Sequence, residues 1–100
     1  MVESKLLIKT RLGLHARAAA KLVRVASGFQ SQLRLRRIDG PGGAEVSADA
    51  KSILSVLMLA ASRGTELHAC AEGIDEEAAM NAIDQLFAEG FGEVEPESSI

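Results

Sequence analysis

The stretch KLLIKTRLGLHARAAAKLVRVASG, residues 5–28, reads as a strand, a break and an amphipathic helix in immediate succession. From Lys5 to Thr10, Leu6 and Ile8 alternate with Lys5, Leu7 and Lys9, the period of a half-buried strand, with Leu7 blurring the pattern. Gly13 then breaks the chain. From Ala16 to Ser27 the apolar residues Ala19, Leu22, Val23 and Ala26 fall at i, i+3, i+4 and i+7, one stripe of a helix, and Gly28 fits its C′ stop.

The rest of the chain repeats these two periods. Leu33 and Leu35 alternate with Arg34 and Arg36 in a second strand; a turn at Asp39-Gly40-Pro41-Gly42-Gly43 leads to a third around Ala44 to Ser47, predicting a hairpin. Ser52 is a good N-cap for a second helix running through Ile53, Leu54, Val56, Leu57 and Met58, with Arg63-Gly64 ending the segment. In a fourth strand Leu67, Ala69 and Ala71 alternate with Glu66, His68, Cys70 and Glu72, and Gly73 turns the chain. Asp75, Glu76 and Glu77 suit a helix N-terminus, and Ala78, Ala79, Ile83, Leu86 and Phe87 carry that last helix to a stop near Gly90. The order βαββαβα predicts an α+β sandwich, an antiparallel sheet with helices on one face and the other face wet. We expect one domain over residues 1–91 and a disordered acidic tail over 92–100.

One hundred residues, 47% of them hydrophobic, suffice for a single core. No apolar run approaches membrane-spanning length and the N-terminus lacks a signal-peptide core, so a cytoplasmic protein without membrane insertion is expected. The single cysteine, Cys70, forms no internal disulfide and supplies no multi-cysteine metal site. His68 and Cys70 share a strand face, but two weak ligands make no metal centre, and no cofactor is expected. The net charge of −3 conceals a division: residues 1–40 hold nine Lys/Arg against two acids, residues 41–100 two against twelve. This predicts an electropositive face in the first half, suited to phosphate or an acidic partner. Nucleic acid competes for that reading, but three Phe with no Tyr or Trp leave it without stacking residues.

Gly13-Leu14-His15-Ala16-Arg17 places His15 at the entry to the first helix. There the unpaired N–H groups and the positive end of the dipole form an anion site, able to hold a phosphoryl group on the imidazole. Arg17 adds a permanent charge and a planar set of donors within reach of a phosphate oxygen. By spacing alone the plainer reading stands: a loop histidine satisfied by a cap bond beside a solvated arginine.

At these residues the sequence resembles the histidine-containing phosphocarrier family, HPr, of the phosphoenolpyruvate-dependent phosphotransferase system. The resemblance extends through Ala19-Ala20-Lys21-Leu22-Val23, Gly28-Phe29, Ala50-Lys51-Ser52-Ile53, Arg63-Gly64, Ala71-Glu72-Gly73 and residues 86–93, LFAEGFGE, the last similar to proteobacterial members and their nitrogen-branch relative, NPr. It implies a sheet in the order 1-4-2-3 under three helices. It implies that Nδ1 of His15, beside Arg17, accepts a phosphoryl group from Enzyme I and passes it to an Enzyme IIA. Such a protein is a phosphorylated substrate and donor, not an independent enzyme. Family members commonly carry Pro where this chain has Ala18, which alters the loop-to-helix geometry and leaves the nucleophile in place.

Ser52 matches the position at which some members are phosphorylated by an HPr kinase/phosphorylase, and is equally an ordinary N-cap. Ile53, Leu54 and Leu57 match the helix on which members dock partners; Ile53 and Leu54 are expected to be the more exposed pair, with Leu57 open. Arg17, Lys21 and Arg24 form a basic stripe beside His15, read as a docking surface or as a solvated face. A monomer is expected. The competing functions are a nitrogen-branch regulatory carrier, a pure interaction module, which retention of His15 and Arg17 disfavours, and a small RNA-binding domain.

Overall fold

The computed structural model describes residues 1–37 and 45–92. Alternation along four strands decides which side of the sheet is covered. In β1 (Val2–Leu7), β2 (Gln32–Arg37), β3 (Val46–Asp49) and β4 (Glu66–Glu72), Leu6, Leu33, Leu35, Ala48, Leu67, Ala69 and Ala71 are buried on one face. The strands pair antiparallel in the order β1-β4-β2-β3, with β1 and β3 as edges. The three helices α1 (Ala16–Ser27), α2 (Ile53–Met58) and α3 (Glu76–Ala88) complete the core. α3 lies on β1 and β4, α2 beside β3, and α1 against both other helices. This is the expected α+β sandwich, in the strand order the family resemblance implied. Among the described residues no helix is long and apolar enough to cross a membrane.

The opposite face is open, and register assembles its rows. Lys5, His68, Arg36 and Ser47 are successive cross-strand neighbours, as are Glu3, Cys70, Arg34 and Asp49. The basic first half therefore divides between this face and α1, which corrects the expectation of a single electropositive face. Acids from the second half neutralise part of the sheet side, and Arg36 pairs with Glu45 at 3.3 Å.

Several boundaries differ from the sequence reading. β1 leaves the ladder at Leu7, not Thr10, although Ile8 and Thr10 stay buried. Ile8 is held instead by the loop before β4, its N–H donating to the Thr65 carbonyl (3.0 Å) and its carbonyl accepting from Gly64 (2.9 Å). β3 starts at Val46 and runs to Asp49, displaced toward the C-terminus from the expected Ala44 to Ser47. The turn at Asp39 to Gly43 and Ala44 lie outside the described residues, but β2 and β3 pair as a hairpin should. Gly28 ends α1 as expected, though with φ −77 and not in the left-handed conformation common after a helix. α2 ends at Met58, well before Arg63-Gly64; its stop is Ala60, which adopts φ +51 without being glycine, at a cost of about 1–2 kcal/mol. Of the tail placed at 92–100, Gly92 belongs to a short 3-10 turn, Gly90–Gly92, whose buried Phe91 packs edge-on against Phe87 at 4.8 Å; residues 93–100 lie outside the described residues.

Candidate functional site

The loop that delivers His15 is pinned at several points. The buried Thr10 donates its hydroxyl to the Gly13 carbonyl (2.6 Å), while Gly13 N–H donates back to the Thr10 carbonyl (3.1 Å). Gly13 has φ +71, and a Cβ there would overlap the backbone of Ala61 and Ser62. Leu14 N–H donates to the Ala61 carbonyl at 2.9 Å. His15 follows as the N-cap of α1, with an extended backbone (φ −78, ψ 179), and its carbonyl accepts from Ala19 N–H at 2.8 Å.

The imidazole of His15 is half-buried, and its Nδ1 accepts the Arg17 backbone N–H at 3.3 Å. An accepting Nδ1 carries a lone pair, and the ring proton of the neutral imidazole then sits on Nε2. The lone pair faces the first turn, where helix N–H groups and the dipole favour an anion. The Arg17 side chain is exposed and makes no hydrogen bond or ion pair among the described residues, which leaves it available to a phosphate oxygen. Ala18, third in the helix, is fully buried.

The basic stripe is not uniform. Arg24 is exposed, but Lys21 is half-buried and donates from Nζ to the Phe91 carbonyl at 2.7 Å. Lys21 thus ties the Gly90–Gly92 turn to α1, a role its helical spacing did not reveal. On α2, Leu54 (67% exposed) and Ile53 (43%) are outward as expected, with Leu57 at 36%. Two further residues escaped the sequence reading: Met58 (71%), the last residue of α2, and Leu12 (72%), in the loop before His15. Val56 and Leu59 supply the buried side.

Ser52 caps α2, its Oγ accepting Ser55 N–H at 3.3 Å. Lys51 reaches away, donating from Nζ to the Phe29 carbonyl at 2.8 Å. His68 and Cys70 lie half-exposed on the open face, and no group of metal-ligating side chains forms among the described residues.

Three comparisons with known proteins bear on this arrangement. A family model described as the PTS HPr component phosphorylation site matches residues 2–89. The phosphocarrier protein HPr of Xylella fastidiosa (strain 9a5c) is 46% identical over 93 residues, covering 93% of this chain and 98% of that protein. The phosphocarrier protein NPr of Proteus mirabilis is 43% identical over 86 residues, covering 86% and 90%. Among solved structures, HPr-C-His from Thermoanaerobacter tengcongensis is similar with a TM-score of 0.84 at 39% identity, covering 95% of this chain and 100% of the other.

Proposed function

The chain belongs to the HPr family of phosphocarrier proteins of the phosphotransferase system, and we propose that it carries its phosphoryl group on Nδ1 of His15. The observation that carries this reading is the hydrogen bond from the Arg17 N–H to Nδ1, which turns that nitrogen toward the N-terminus of α1. In the transfer the lone pair of Nδ1 forms the new N–P bond while the donor's bond to phosphorus breaks. The Arg17 N–H then turns from Nδ1 to a phosphoryl oxygen, and the Arg17 guanidinium neutralises part of the added charge.

Family members work with other enzymes of the phosphotransferase system. For this chain the donor is Enzyme I and the acceptor an Enzyme IIA, both docking on Ile53, Leu54 and Leu57 with Arg17 and Arg24 at the rim; it acts as a cytoplasmic monomer. Ser52 is the site of regulation by an HPr kinase/phosphorylase. Similarity to NPr as well as HPr supports a second reading, a nitrogen-branch carrier. The identity of the Enzyme IIA that accepts the phosphoryl group decides between the two.

Incubation with Enzyme I and labelled phosphoenolpyruvate tests the proposal. The protein is expected to take up phosphate that is lost in acid and kept in base, as a phosphoramidate behaves, and His15→Ala is expected to take up none. An unlabelled wild type, or equal labelling of His15→Ala, would overturn it.

A further inference from the structure

Arg37, the last residue of β2, reaches the end of α2, where its Nη1 donates to the carbonyls of Leu59 (2.5 Å) and Ala60 (3.1 Å). These carbonyls bracket the backbone of Ala60, which is held left-handed at φ +51. An alanine keeps that conformation only where its surroundings enforce it, and a planar guanidinium meeting two successive carbonyls is suited to do so. The next residue, Ala61, is buried and accepts Leu14 N–H at 2.9 Å, and Gly13 sits against Ala61 and Ser62 with no room for a Cβ. Leu14 directly precedes His15.

We propose that Arg37 is a positioning residue for phosphoryl transfer, acting through Ala60 and Ala61 on Leu14 and so on the aim of the His15 ring. The inference rests on the phosphocarrier reading for its consequence in transfer, but its structural core stands apart from that reading. The path passes the C-terminal end of the helix that carries Ile53, Leu54, Leu57 and Met58 and ends beside the nucleophile, so the segment that closes that helix also anchors the loop before the imidazole. If Arg37 is removed, residue 60 relaxes toward negative φ, the Ala61 carbonyl turns, and Leu14 loses its partner.

The test uses the full chain with Arg37→Met, Arg37→Lys, and the double variant Arg37→Met/Ala60→Gly. Glycine holds positive φ without help, so it should restore what loss of the arginine removes. Hydrogen exchange at the Leu14 amide reads the coupling directly, and steady-state transfer from Enzyme I reads its effect on chemistry. Arg37→Met is expected to speed exchange at Leu14 and to lower kcat about tenfold with KM nearly unchanged, since small misplacements at a distance cost rate. Arg37→Lys, with one compact donor group, should fall between, and it replaces the methionine variant if that one does not fold. The double variant should recover both slow exchange and kcat. Unchanged exchange at Leu14 in the single variants overturns the proposal, as does a loss that Ala60→Gly fails to rescue, because Arg37 would then act on partner or phosphate directly. If wild type takes up no phosphate while the exchange results hold, the phosphocarrier reading falls and the structural coupling stands.

Discussion

Gly13 and Ala18, on either side of His15, constrain the chain in different ways. Gly13→Ala must place a methyl group against the Ala61 and Ser62 backbone at a positive φ. Neither can give way cheaply, and the variant should lose about 1–3 kcal/mol in urea unfolding. Ala18→Pro should behave oppositely. Residue 18 is third in α1, inside the first turn, so a proline there removes no N–H needed within the helix. Stability should stay level or rise by about 0.4–1 kcal/mol through restriction of the unfolded chain; a loss near 3 kcal/mol would mean that the helix starts further upstream or that the ring does not fit the buried site of Ala18. The sequence identified Gly13 as a break, His15 as the helix entry and Ser52 as a cap, because those signals are local. The tight approach at Gly13 and the grip of Arg37 depend on segments 22 or more residues away in the chain, as contacts made only by the fold, and no local pattern announces them.

The first two helices differ in which side chains are exposed and which are tethered. On α1, Arg17 and Arg24 are exposed while Lys21 is committed to the Phe91 carbonyl. Reversing Arg17 and Arg24 to Glu should weaken association with Enzyme I, with the loss shrinking as salt screens exposed charge over about 10 Å at 0.1 M. Lys21→Met should instead lower stability and loosen the Gly90–Gly92 turn, detectable as faster amide exchange there, with little change in salt-dependent binding. On α2, Ser52→Asp preserves a capping oxygen for Ser55 N–H. Its unfolding transition should match wild type, whereas transfer from Enzyme I should slow as negative charge meets an acidic partner; unchanged transfer would remove Ser52 from the docking surface. α1 was bounded correctly from its periodicity, since its cap and buried stripe agree. The end of α2 was not, because the chain leaves the helix at an alanine with a left-handed backbone, where the expected signal was Gly64.

Across the molecule, carboxylates join elements distant in sequence. Asp75, just before α3, accepts from the buried Ser31 hydroxyl (2.5 Å) and from the N–H groups of Gln30 and Ser31 at 2.8 and 2.9 Å. The Ser31 hydroxyl first, then the Gln30 N–H, holds its carboxyl below the usual range. The N-terminal ammonium and then the Gly73 N–H do the same for Glu76. A carboxyl whose folded pKa is depressed adds stability above its unfolded pKa and loses it as pH falls through the folded value. Asp75→Asn should therefore be less stable than wild type at neutral pH, by a margin that narrows from about pH 5 downward; a constant margin in acid titration of urea unfolding would refute this. The sheet face and fold class followed from alternation, since a period of two states which side chains share a face. Alternation does not say where pairing stops, which is why β1 and β3 were displaced. The strand order 1-4-2-3 also fixes an order in time. β4 lies between β1 and β2, yet it is the last strand synthesised, so Leu6 waits for residues 66–72 before it has any strand neighbour, while β2 has β3 on one side and waits for β4 on the other. At about 5–20 residues per second, the first strand spends seconds unpaired, and nascent chains truncated before Glu66 should remain protease-sensitive while full-length chains become protected together.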